Sequence, residues 1–84
     1  MKIWAKLIID GKNVKDTLYQ DNSPLTFVSY ENMLRKVAES LDISSPVTMM
    51  IHFRHFKKFH IHRFKADDFV ESFEYDSMEI EWYE

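Results

Sequence analysis

The strongest periodicity in the chain lies between Tyr30 and Leu41. Tyr30, Met33, Leu34, Val37, Ala38 and Leu41 recur at i, i+3, i+4, i+7, i+8 and i+11, while Glu31, Asn32, Arg35, Lys36, Glu39 and Ser40 take the other side. That spacing predicts an amphipathic helix with one apolar stripe. Ser29 offers an N-cap hydroxyl, and Asp42 ends the pattern ahead of Ser44-Ser45-Pro46. Before the helix the period is two: Ile3, Ala5, Leu7 and Ile9 alternate with Trp4, Lys6 and Ile8, as in a strand with one face inward. Asp10-Gly11 contains the only glycine, and a residue free to take positive φ there predicts a hairpin into a second strand from about Asn13 to Gln20. The weak patterning of that second run suits a sheet edge.

After the helix the period of two returns. Val47, Met49, Ile51 and Phe53 alternate with Thr48, Met50 and His52, which predicts a third strand; Arg54 to Lys58 then reads as a turn and Phe59 to Phe64 as a returning strand. In that register Phe53 meets Phe59 and Ile51 meets Ile61 on the core face, and His52 meets His60 and Met50 meets His62 on the other. Asp67 to Glu71 predicts a short helical turn, and Met78 to Tyr83 a last strand with Met78, Ile80 and Trp82 inward and Glu79, Glu81 and Tyr83 outward.

The resulting order is β-β-α-β-β-(short helical turn)-β. It predicts a single α+β domain over residues 1–84, a mostly antiparallel sheet of about five strands with one long helix packed on one face. One helix leaves the other face bare. Trp4, Ile8, Met50, Phe64 and Tyr83 are expected there, more apolar surface than a small protein leaves wet, so the expected role is an interaction module, a homodimer through this face or through an edge, or a complex with another protein.

Composition narrows this. With 84 residues, 45% of them hydrophobic, the chain makes one core and no second domain. Cysteine is absent, which excludes disulfides, thiolate metal sites and a cysteine nucleophile, and fits a cytoplasmic protein. Lys6 and Asp10 interrupt the N-terminal apolar run, so neither a signal peptide nor a membrane span is predicted.

Charge is distributed in blocks. From Ile43 to Ala66 there is no acid, and Arg54, Lys57, Lys58, Arg63 and Lys65 share the segment with all four histidines, His52, His55, His60 and His62. From Asp67 to Glu84 there is no Lys or Arg. The predicted register gathers His52, His60 and His62 on one strand face, which makes a zinc or nickel site the second reading, with Glu79 or Glu81 beside it. Those glutamates would raise the imidazole pKa values. A third reading takes the basic residues of 54–65 with Phe56, Phe59 and Phe64 as a nucleic-acid surface; the acidic tail and the net charge of −3 argue against it. No catalytic motif is present: the single glycine sits in the first hairpin, away from any serine elbow or phosphate loop, so no enzyme and no cofactor are expected.

The run Arg63-Phe64-Lys65-Ala66-Asp67-Asp68-Phe69-Val70-Glu71-Ser72-Phe73-Glu74-Tyr75-Asp76-Ser77-Met78-Glu79-Ile80-Glu81, with Lys2-Ile3-Trp4-Ala5, resembles short stand-alone bacterial proteins of an uncharacterised family. The resemblance covers the termini better than the histidine-rich middle. It implies a compact intracellular domain and carries no catalytic or binding residue.

Overall fold

A computed structural model describes residues 1–83; the expected acidic residue Glu84 lies outside them. Strands β1 (Lys2–Ile9) and β2 (Lys12–Gln20) form the N-terminal hairpin, followed by helices α1 (Phe27–Leu41) and α2 (Met50–Phe59), strand β3 (Ile61–Lys65), a 3₁₀ turn (Ala66–Asp68) and strand β4 (Ser77–Trp82). The sheet has four strands in the order β2-β1-β4-β3, every pair antiparallel. Asp10 and Gly11 both take positive φ, 52° and 76°, as a two-residue hairpin loop of the primed type demands. The α+β class is therefore as expected, with four strands in place of about five and two helices in place of one.

The α1 stripe falls where its period puts it: Tyr30, Met33, Leu34, Val37, Ala38 and Leu41 are all buried. The helix begins earlier than Ser29. Thr26 is the N-cap, its hydroxyl accepting from the Ser29 backbone N–H while the Ser29 hydroxyl accepts from the Thr26 N–H. Asp42 ends α1 in the left-handed region at φ 57°.

The predicted strand over 47–53 and the turn over 54–58 are replaced by α2. A hairpin at 54–58 would have lacked any glycine, asparagine or aspartate, while Met50, Arg54, Lys57 and Lys58 are good helix formers. As a helix, the segment puts Phe53 and Phe56 on one side at i and i+3, where both are buried, and sets Lys57 and Lys58 in the last turn against the negative end of the dipole. His60 then closes it at φ 62°. The expected pairs Phe53–Phe59, Ile51–Ile61, His52–His60 and Met50–His62 do not form; β3 pairs with β4 instead, Ile61 opposite Glu81 and Phe64 opposite Met78.

Both helices lie on the same face. Phe27 and Tyr30 of α1 meet Phe53 of α2 edge to face, at 5.6 and 5.3 Å between centroids. Beneath them Ile3, Ala5, Leu7, Phe64, Met78 and Ile80 are fully buried. Among the described residues, no helix or further strand packs on the opposite face of the sheet.

Candidate functional site

The open face is built by alternation. Ile3, Ala5 and Leu7 point to the helices, so Trp4, Lys6 and Ile8 point away; Met78 and Ile80 point in, so Glu79 and Glu81 point away. Register then sets these residues in rows. Lys6 stands opposite Asp16 on one side and Glu79 on the other, and Glu79 stands opposite Arg63. Read from β2 to β3, the row Asp16, Lys6, Glu79, Arg63 alternates in sign at every step. The next row is Leu18, Trp4, Glu81, Ile61.

The charged row is knitted together. Lys6 Nζ lies 3.3 Å from Glu79 and 3.7 Å from Glu81, and Arg63 Nη2 donates to Glu79 Oε2 at 3.0 Å. The Lys6 ammonium also sits 4.1 Å from the Trp4 ring centroid, and the indole N–H donates to Asp16 at 2.7 Å. Partial burial pushes the Glu79 carboxyl up, but the hydrogen bonds and charges of Arg63 and Lys6 outweigh it and hold the group below the usual carboxylate range. Lys6 and Glu79 are each only 14% exposed, and the Lys6 side chain lies over the Trp4 ring. Beside them a groove of about 490 Å³ runs between Ile8, Asn13, Arg63 and Asp76.

Of the expected interaction residues, Trp4 and Ile8 lie on this face and Tyr83 is exposed just past β4. Met50 is exposed on α2, in the helix layer. Phe64 is a correction: it is fully buried against the helices. Because 50–59 is helical and His60 closes the helix, β3 starts at Ile61, two positions later than expected, and turns its even-numbered side chains inward where the odd-numbered ones were expected, which exchanges the two faces of the strand. His62 and Phe64 therefore point in, while Ile61 and Arg63 point out.

The same exchange creates a histidine pocket under α2. His52 and His62 meet at 4.6 Å between centroids with their rings tilted by 34°, His55 meets His62 at 5.3 Å, and Phe64 packs edge-on to both His52 and His62. Val47 N–H donates to the Asp68 carbonyl, bringing the 3₁₀ turn beside the start of α2, and His52 Nε2 lies 3.8 Å from Asp68 Oδ1. Burial, then the neighbouring His52 and His55, push the His62 pKa down to about 4 against an opposing pull from Asp68. Glu79 and Glu81 are on the far side of the sheet, so the expected raising of imidazole pKa by these glutamates is reversed at His62.

His60 does not join this group; its ring lies 4.7 Å from that of Trp82. Among the described residues, no cluster of three or more His, Asp or Glu has the geometry to hold a metal ion. The basic residues of 54–65 also divide: Arg54, Lys57 and Lys58 are exposed on α2, whereas Arg63 belongs to the open sheet face. The sequence did not single out Lys6, Asp16 or Arg63 as one set, since pairing across strands is what assembles them.

The pocket holds polar atoms without partners. His52 Nδ1, His62 Nε2 and the Tyr30 hydroxyl are buried and make no hydrogen bond. Burial, with a smaller contribution from Asp68, holds the Tyr30 phenol well above its ordinary pKa, so it stays neutral. A buried hydroxyl without a partner costs stability, and Tyr30→Phe is expected to raise the unfolding free energy by about 1 kcal/mol in urea titrations; a loss of that size would reveal a bonded hydroxyl.

No helix among the described residues is long and apolar enough to cross a membrane. No family model, curated protein or solved structure matches the chain.

Proposed function

We propose that this chain is a non-catalytic interaction module that self-associates through the open face of its sheet. The observation that supports it is the cross-strand row Asp16, Lys6, Glu79, Arg63, flanked by Leu18 at 67% and Ile61 at 37% exposure. A bare four-strand face bearing an indole, aliphatic side chains and ordered charges of both signs has the make-up of a protein-binding surface. The edges favour the face over strand pairing. Edge strand β2 carries Lys12 and Lys15, and the β1–β2 register shifts between Leu7 and Ile8, two devices that discourage edge-to-edge addition.

The test is a dilution series followed by backbone amide NMR together with light scattering. The expected result is a mass rising above 10.2 kDa with concentration, accompanied by shift changes at Trp4, Lys6, Leu18, Ile61 and Glu81. A mass fixed at the monomer value up to about 1 mM, or shift changes centred on Met50, Ile51 and Phe59 of α2, would remove the proposal; millimolar affinity is the weakest that self-association could show there.

A further inference from the structure

Resting on that reading, we infer that the partner is a second copy docked face to face about a two-fold axis parallel to the strands, so that β2 of one copy covers β3 of the other. Such an axis leaves each cross-strand row at its own level and reverses its order. The strand order β2-β1-β4-β3 then stacks on β3-β4-β1-β2.

The row of alternating sign is what singles out this arrangement. Reversed on itself, Asp16, Lys6, Glu79, Arg63 places Asp16 over the partner's Arg63 and Lys6 over the partner's Glu79, and the two-fold repeats both contacts. Every charge meets its opposite. The neighbouring row behaves in the same way: Leu18 falls over the partner's Ile61, apolar on apolar at both ends, while Trp4 falls over the partner's Glu81. A two-fold perpendicular to the strands through the charged row does the reverse, stacking Asp16 on Asp16, Lys6 on Lys6, Glu79 on Glu79 and Arg63 on Arg63. Like charges facing one another oppose docking, so the perpendicular arrangement is selected against.

The contact is modest. Four strands spaced at about 4.8 Å and six residues rising at about 3.3 Å give a face of roughly 400 Å² per copy, or about 800 Å² in all. That lies below the standard interface range and fits a reversible, micromolar or weaker dimer whose affinity falls with salt.

The arrangement is tested by charge exchange between copies. Arg63→Glu alone sets two carboxylates over one another at both ends of the dimer, and Asp16→Lys alone sets two cations there; each is expected to weaken self-association by about tenfold or more. Mixed together, the two variants form one native Asp–Arg contact and one exchanged Lys–Glu contact, so the hetero-pair is expected to associate within about threefold of the wild type. Thermal melts check that each variant is folded. A second measurement does not depend on charge. The natural chain has no cysteine. Asp16→Cys and Arg63→Cys variants, mixed and treated with a bis-maleimide of about 10 Å reach, the spacing of packed sheets, are expected to yield the hetero-crosslink in excess of either homo-crosslink.

The outcomes separate the two ideas. Wild-type protein that stays monomeric overturns self-association and the docking geometry together. Wild-type protein that associates through the open face, with neither rescue on mixing nor preferential hetero-crosslinking, overturns the parallel two-fold and leaves self-association standing.

Discussion

Phe64→Ala is expected to lower the unfolding free energy by about 3–5 kcal/mol, measured by urea denaturation followed by circular dichroism. The ring is fully buried, lies opposite Met78 in the sheet, and packs its edge against His52 and His62 at 5.6 and 4.5 Å between centroids. Truncation removes the transfer energy of the ring and leaves a cavity between α2 and the sheet that neighbouring side chains fill only in part. For a domain of 84 residues, whose whole stability is of order 4–12 kcal/mol, such a loss leaves little margin. Leu18→Ala, at a position 67% exposed on β2, is the control and should change stability by less than about 0.5 kcal/mol. A cost at Phe64 as small as that at Leu18 would return Phe64 to the open face, where alternation along a returning strand from Phe59 to Phe64 places it.

That contrast shows where the sequence was legible. The α1 stripe, the Asp10-Gly11 hairpin, and the inward sets of β1 and β4 follow from single periodicities carried by long or well-bounded segments, and the structure has them. Residues 47–59 misled because Val47, Met49, Ile51 and Phe53 alternate by chance, while the helical pair Phe53 and Phe56 offers only one i, i+3 step as a competing signal. The discriminating clue was chemical: five residues with no turn former were asked to reverse the chain. With that segment helical, β3 presents Phe64 and His62 inward and Arg63 outward. Both candidate sites depend on that one change. Neither the charged row nor the histidine pocket is visible along the chain, because each is assembled by partners distant in sequence.

Stability is also expected to fall as the solution is acidified from pH 7 to pH 5, and His62→Phe should abolish most of that fall. His62 faces His52 and His55 on α2, Asp68 on the 3₁₀ turn and Phe64 on its own strand; burial first, then the two imidazoles, depress its pKa from 6.5 to about 4. A depressed histidine pKa means that the fold prefers the neutral ring. Its contribution is therefore complete above pH 6.5, is lost progressively as pH falls through the interval down to about 4, and changes no further below that. The displacement corresponds to at most about 3 kcal/mol, which solvent reaching the partly buried ring reduces to about 1–2 kcal/mol. Glu79 also favours the fold in its charged form, but its loss begins only near and below the ordinary carboxylate value of 4.5, so the window from pH 6.5 to 5 isolates the histidine. Phenylalanine keeps a ring against Phe64 and His52 without a proton to bind. Urea midpoints of the two proteins should diverge steadily from pH 7 to pH 5, the variant holding its value and the wild type dropping; parallel curves would show that protonation elsewhere governs the acid response. Because Lys6, Glu79 and Arg63 lie on the other side of the sheet, the variant should leave the proposed association through the open face untouched, so light scattering of His62→Phe beside the wild type checks that the acid response and the proposed docking face are independent.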